Sequence, residues 1–103
     1  MGSQTAMATG LKSMIEAALA DAARRTGLDA STLKVARAER VTWPDGSLGC
    51  PQPGMSYTQA LVPGYRIRIQ AGKELLDYHA GVRGKPLLCP SGHATDPVPD
   101  GRT

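Results

Sequence analysis

"YRIRIQAGKELLDYHA", Tyr65 to Ala80, is the stretch on which the fold turns. Tyr65, Ile67, Ile69 and Ala71 share one phase of a two-residue period, and Arg66, Arg68 and Gln70 share the other. That alternation predicts a strand with one side on a core and the other in water. Gly72-Lys73 is a two-residue turn signal, so Glu74 to Ala80 should return as the antiparallel partner. A lone hairpin is marginal in water, and the rest of the chain has to cover its apolar side.

The cover lies upstream. Leu11, Met14, Ile15, Ala18, Leu19 and Ala22 recur at steps of three and four, one stripe of an α-helix. Thr9 is placed as its N-cap. Arg24-Arg25 suit its negative end and Gly27 its stop, so the helix should end near Thr26. "DASTL" from Asp29 predicts a short helical turn, because Asp and Ser side chains bond nearby backbone amides. Leu33 to Trp43 reads as a long strand. Arg37 and Glu39 fall on the phase of Val35 and Val41, which a bulge or an exposed extension would explain. Ser56 to Val62 is a further strand candidate, with Pro63-Gly64 as a turn before Tyr65, and Pro86 to Cys89 is a final short strand. The expected fold is α+β: one N-terminal amphipathic helix on an antiparallel meander of four to five strands, a two-layer sandwich.

A chain of 103 residues is one domain, placed here at 8–90. Residues 1–7, opening Met1-Gly2-Ser3-Gln4-Thr5-Ala6, read as a cloning remnant, and 91–103, with two prolines and no apolar period, as a flexible tail. No apolar run approaches the roughly 20 residues that cross a bilayer, and no basic-then-apolar leader opens the chain, so no membrane partner is expected. The compartment stays open: periplasmic or secreted if a signal has been removed, cytoplasmic otherwise. The net charge of +3 is scattered, with no basic run longer than Arg24-Arg25. Arg66 and Arg68, with Arg37 or Arg40, offer the residue types of a phosphate-tracking patch. Stacking of bases would need exposed aromatics, and Tyr65 falls on the core phase, so nucleic acid is not expected as a partner.

The densest punctuation in the chain is "VTWPDGSLGCPQPG", Val41 to Gly54, with the single tryptophan, one of two cysteines, three prolines and three glycines. "VTWPDGSLGCPQPGMSYTQALVPGYRI", followed by "DYHAG" and closed by "LLC", resembles a bacterial family of small uncharacterised proteins and domains. Its shared pattern is W-P-D-G-S-L-G-C-P-x-P-G-x-x-Y-x-Q, then G-Y-x-I, Y-x-H and a late Cys. The resemblance covers roughly Leu28 to Cys89. It implies no established activity, and it implies export weakly.

Four chemistries compete for these residues. Cys50 and Cys89 are either a disulfide or two thiols; the bridge is the reading adopted, since it would close a loop of about 40 residues and stabilise by about 4 kcal/mol. With His79 and His93 they make a zinc-type ligand count, but the spacing forms no knuckle, so neither metal nor cofactor is expected. Asp45, Ser47 and His79 offer the residue types of a hydrolytic triad. The plainer reading of "DGS" is a turn with Asp45 on the backbone two residues on, and His79 is then a partly exposed residue bonded to a neighbour. Finally, a loop stiffened by Pro44, Pro51, Pro53 and Cys50 and presenting Leu48 would resemble a protease inhibitor's, unless Leu48 folds back under Trp43. The reading adopted is a non-enzymatic, monomeric domain, stabilised by Cys50–Cys89, that contacts protein through Trp43, Asp45, Ser47, Leu48 and Gln52. The inhibitor and the hydrolase are the alternatives.

Overall fold

The computed structural model describes residues 3–99, with side chains from Gly10 onward; the expectations for residues 1–2 and 100–103 fall outside that range. Helix α1 runs Ser3–Thr26, a single 3-10 turn spans Ala30–Thr32, and four strands follow: β1 Lys34–Trp43, β2 Val62–Ala71, β3 Glu74–Gly81 and β4 Leu87–Cys89. They form one antiparallel sheet in the order β1-β2-β3-β4. The expected α+β meander under one helix is what is found.

The helix stripe behaves as its periodicity requires. Met14, Ala18 and Ala22 are buried at intervals of four, flanked by half-buried Leu11, Ile15, Leu19 and Ala23. They close on Tyr65, Ile67, Ile69, Ala71, Tyr78 and Ala80 of the sheet. The two alanines let the backbones approach and leave the volume to isoleucines and tyrosines, which is how a core without phenylalanine fills. A polar bond crosses the same layer: Tyr78 Oη donates to Asp21 Oδ2 at 2.6 Å, and Arg24 and Arg25 hold that carboxylate from the helix side. The helix stops as expected at Gly27, whose N–H still reaches Ala23 O at 2.9 Å. Its start differs from the Thr9 cap. Helical backbone begins at Ser3, since Gln, Ala and Met are good helix formers and nothing in residues 3–9 breaks a helix.

β1 carries the expected bulge, between Val35 and Arg37. It moves Val35 opposite Ile69 on the helix side and Arg37 opposite Arg68 on the other, which separates Val35 from Arg37 and Glu39 while Val41 stays on their side. The strand expected at Ser56 to Val62 is instead loop, and the expected turn at Pro63-Gly64 lies inside β2. Thr42 opposes Pro63, and its carbonyl accepts from Val98 N at 2.7 Å on the outer edge of the sheet. Thr42 therefore faces away from β2, no hydrogen bond is asked of the imino acid there, and β3 ends before reaching it. Gly64 is glycine for a different reason: a Cβ there would lie 2.0 Å from Ala80 O, so this is close strand approach and no turn.

The side of the sheet away from α1 is only partly open. The loop from Pro44 to Gly54 folds onto it, and the chain after Cys89 crosses that loop, Thr95 N donating to Gly49 O at 2.8 Å. Arg66, assigned to the water phase, keeps a side chain only 13% exposed between Glu39 and Asp96.

Candidate functional site

The loop is built by its own polar groups. Asp45 Oδ1 accepts from Ser47 N at 2.8 Å and Ser47 Oγ at 2.6 Å, the Asx arrangement that "DGS" predicts. These two bonds, the hydroxyl first, hold the Asp45 carboxyl below its ordinary range. Two turns follow, Leu48 N to Asp45 O and Cys50 N to Ser47 O. They bring Leu48 to φ 57, the sole non-glycine residue at positive φ among the described residues. Such backbone costs on the order of 1–3 kcal/mol unless its surroundings enforce it.

What enforces it lies beneath. The Trp43 ring is fully buried under the loop, donates Nε1–H to Ala80 O at 3.0 Å and stacks on His79 at 4.4 Å between centroids. Gly49 rests on that ring so closely that a Cβ would meet it at 2.4 Å. His79, expected partly exposed, is fully buried. Its Nδ1 lies 2.6 Å from the carbonyl of Leu48 and its Nε2 3.1 Å from Asp77 Oδ2. A carbonyl only accepts, so Nδ1 carries a hydrogen. Burial alone would raise the Asp77 carboxyl, but the hydrogen bond and charge of His79 and the neighbouring Arg68 hold it below the usual range. Arg68, Asp77, His79 and the Leu48 carbonyl form one chain from the sheet surface to the strained residue of the loop.

The bridge between Cys50 and Cys89 clamps the other end of the loop to β4, with Cα atoms 5.7 Å apart and both residues buried. The cysteines are thus joined to each other, and the Cys-Cys-His-His set is not assembled as ligands. Of the triad types, Asp45 and Ser47 meet each other, while both nitrogens of His79 are engaged by Leu48 and Asp77. Of the expected contact residues, Trp43 and Ser47 are buried, Asp45 and Leu48 half-buried, and Gln52 exposed. An inhibitor presents an extended segment to a protease cleft; here Leu48 sits in a left-handed turn with its carbonyl turned inward onto His79. The Leu48 side chain itself is half-buried, in a loop that lies over Trp43.

The open surface lies beside this lid. A groove of about 1250 Å³ runs along the outer end of β1, between Val41, Leu61, Pro63, Tyr65, Val82 and the segment 96–99. Leu61 is 65% exposed, Val82 54% and Val98 37%. Sequence reading passes over this groove, because its walls come from three loops with no periodicity and one of them lies in the expected tail.

A family model described as a domain of unknown function, DUF8738, matches residues 15–89, a span that takes in the second half of the helix, all four strands and the whole lid. No curated protein and no solved structure matches the chain.

Proposed function

Since the chain belongs to this family of unknown function, DUF8738, we propose that it is a non-enzymatic protein-contact domain of an oxidising compartment, in which Trp43 to Gly54 is architecture and the adjoining groove is the contact surface. The groove carries this reading: Leu61, Val82 and Val98 gather on one concavity, and contiguous exposed apolar surface on a small domain marks an interaction site. The inward turn of the loop supports its architectural part. The polar groups of Asp45, Ser47, His79 and Asp77 are engaged with one another or with backbone, which leaves none of them aimed at a substrate. On this reading the W-P-D-G-S-L-G-C-P run encodes the lid, with Trp43 as floor, Asp45 and Ser47 as turn, Gly49 as contact and Cys50 as clamp. The buried Cys50–Cys89 bridge supports an oxidising compartment.

Selection of peptides from a displayed library on the disulfide-bonded protein tests this. Recovered peptides should lose binding to Leu61→Asp and Val82→Asp and keep it on Leu48→Asp. Peptides that follow Leu48 instead would move the contact back to the loop, and a selection that yields no binder would remove the proposal.

A further inference from the structure

The groove is bounded on one side by an unfinished sheet edge. β1 is the first strand of the sheet, so its outer side has no strand beside it among the described residues. Thr42 turns its carbonyl to that side and is met there by Val98 N at 2.7 Å. Backbone groups alternate along an antiparallel strand, and β1 is regular between Arg37 and Trp43, so Arg40 and Ala38 point the same way as Thr42. The N–H and C=O of Ala38 and Arg40 have no hydrogen-bond partner among the described residues. Val98 thus makes the first rung of a ladder whose next two rungs are empty.

The charges along this edge are uneven. Glu39 is engaged by Arg66 at 2.8 Å and by Arg37 at 3.2 Å, and Arg66 also takes Asp96. Arg40 lines the groove, is exposed, and has no ion-pair partner among the described residues. Basic residues and a bulge are common guards on an edge strand, and β1 carries both. The same arrangement welcomes an acid, and Asp96 on Arg66 shows that this wall already receives one.

Resting on the contact reading above, we infer that the free edge of β1 at Ala38 and Arg40 takes up an extended, acidic segment of a partner protein as an added antiparallel strand. Its backbone completes the two empty rungs, a carboxylate lies against Arg40, and its apolar side chains enter the groove toward Val41, Leu61 and Val98. Strand addition of this kind draws affinity from main-chain bonds and selectivity from alternate side chains.

The probe is an end-capped octapeptide of alternating valine and aspartate, compared with its valine-lysine counterpart, titrated into the isotope-labelled, disulfide-bonded protein. The aspartate peptide should slow hydrogen exchange at the Ala38 and Arg40 amides and bind about tenfold or more tightly than the lysine peptide, the worth of one charge-assisted pair. Arg40→Glu should abolish that preference, and Arg40→Pro, which removes an outward N–H without touching the β1–β2 ladder, should abolish exchange protection. Arg40→Glu needs no change in backbone, so it decides the matter even if the proline variant folds poorly. Binding that depends on Leu61 but leaves the edge amides unprotected would overturn strand addition and keep the contact reading. Equal binding of both peptides would overturn the acidic assignment, and binding of neither would end the inference while the displayed-library result still stands for the groove. Edge amides protected without peptide would assign the edge elsewhere: to a second copy if protection grows with concentration, to residues 100–103 if it vanishes on truncation after Pro99.

Discussion

At the scale of single residues, the decisive feature is that Leu48 occupies backbone that favours glycine and is held there by a side chain on another strand. His79 was legible as an Asp-x-His pair on one strand face, but its burial was not, because that depends on a loop 31 residues earlier folding over it. Removing it leaves the Leu48 carbonyl and the Asp77 carboxylate without their buried partner. His79→Ala should therefore cost about 2 kcal/mol or more in urea unfolding. Nitrogen NMR should show a hydrogen on His79 Nδ1; an Nδ1 without one would contradict the geometry. Gly49→Ala should be more harmful than a loop glycine suggests. Its Cβ would meet both the Trp43 ring at 2.4 Å and Thr95 O at 2.8 Å at a φ of 71°, so a loss of about 2 kcal/mol or more is expected in the same assay.

At the scale of elements, α1, β1 and the β2–β3 hairpin were legible because each follows a local rule: a helical stripe, a two-residue alternation, a glycine turn. Errors came where a local signal had a non-local cause. Pro63-Gly64 has the composition of a turn, yet the proline sits where no ladder bond is needed and the glycine where Ala80 O comes too close for a side chain. The loop between β1 and β2 is an element in its own right, clamped at Cys50 to β4. Reduction of the Cys50–Cys89 bridge, which closes a segment of 39 residues, should lower stability by about 4 kcal/mol in the chain-entropy account. Urea unfolding with and without reductant, compared with a Cys50→Ser, Cys89→Ser double variant, measures it; a drop under about 1 kcal/mol would mean that the lid is held by Trp43 and His79 alone.

At the scale of the whole molecule, stability should fall at both ends of the pH range. Burial would raise the Asp21 carboxyl, but the Tyr78 hydroxyl and Arg25 outweigh it, so Asp21, like Asp77, titrates below its ordinary value in the folded protein. Both then contribute stability above the usual carboxyl range near 3.9, and lose it as the pH falls through their lower folded values. Burial, and next the Asp21 carboxylate, push the Tyr78 phenol well above its ordinary value of 10.0, so its contribution is complete below that value and is lost as the pH rises beyond it. Thermal midpoints across pH should show both flanks; Asp21→Asn should flatten the alkaline one and reduce the acid one, and an unchanged profile would uncouple this pair from folding. The sequence by itself determined the helix stripe, the hairpin and the meander, since these follow from periodicity and turn chemistry within a dozen residues. Only the tertiary structure decided that the Leu48 carbonyl turns inward, that His79 is buried beneath it, and that Val98 opens a ladder on the edge of β1. Each of those depends on segments far apart in the chain meeting on the second side of the sheet, where packing and backbone hydrogen bonds, and no local pattern, choose the neighbours.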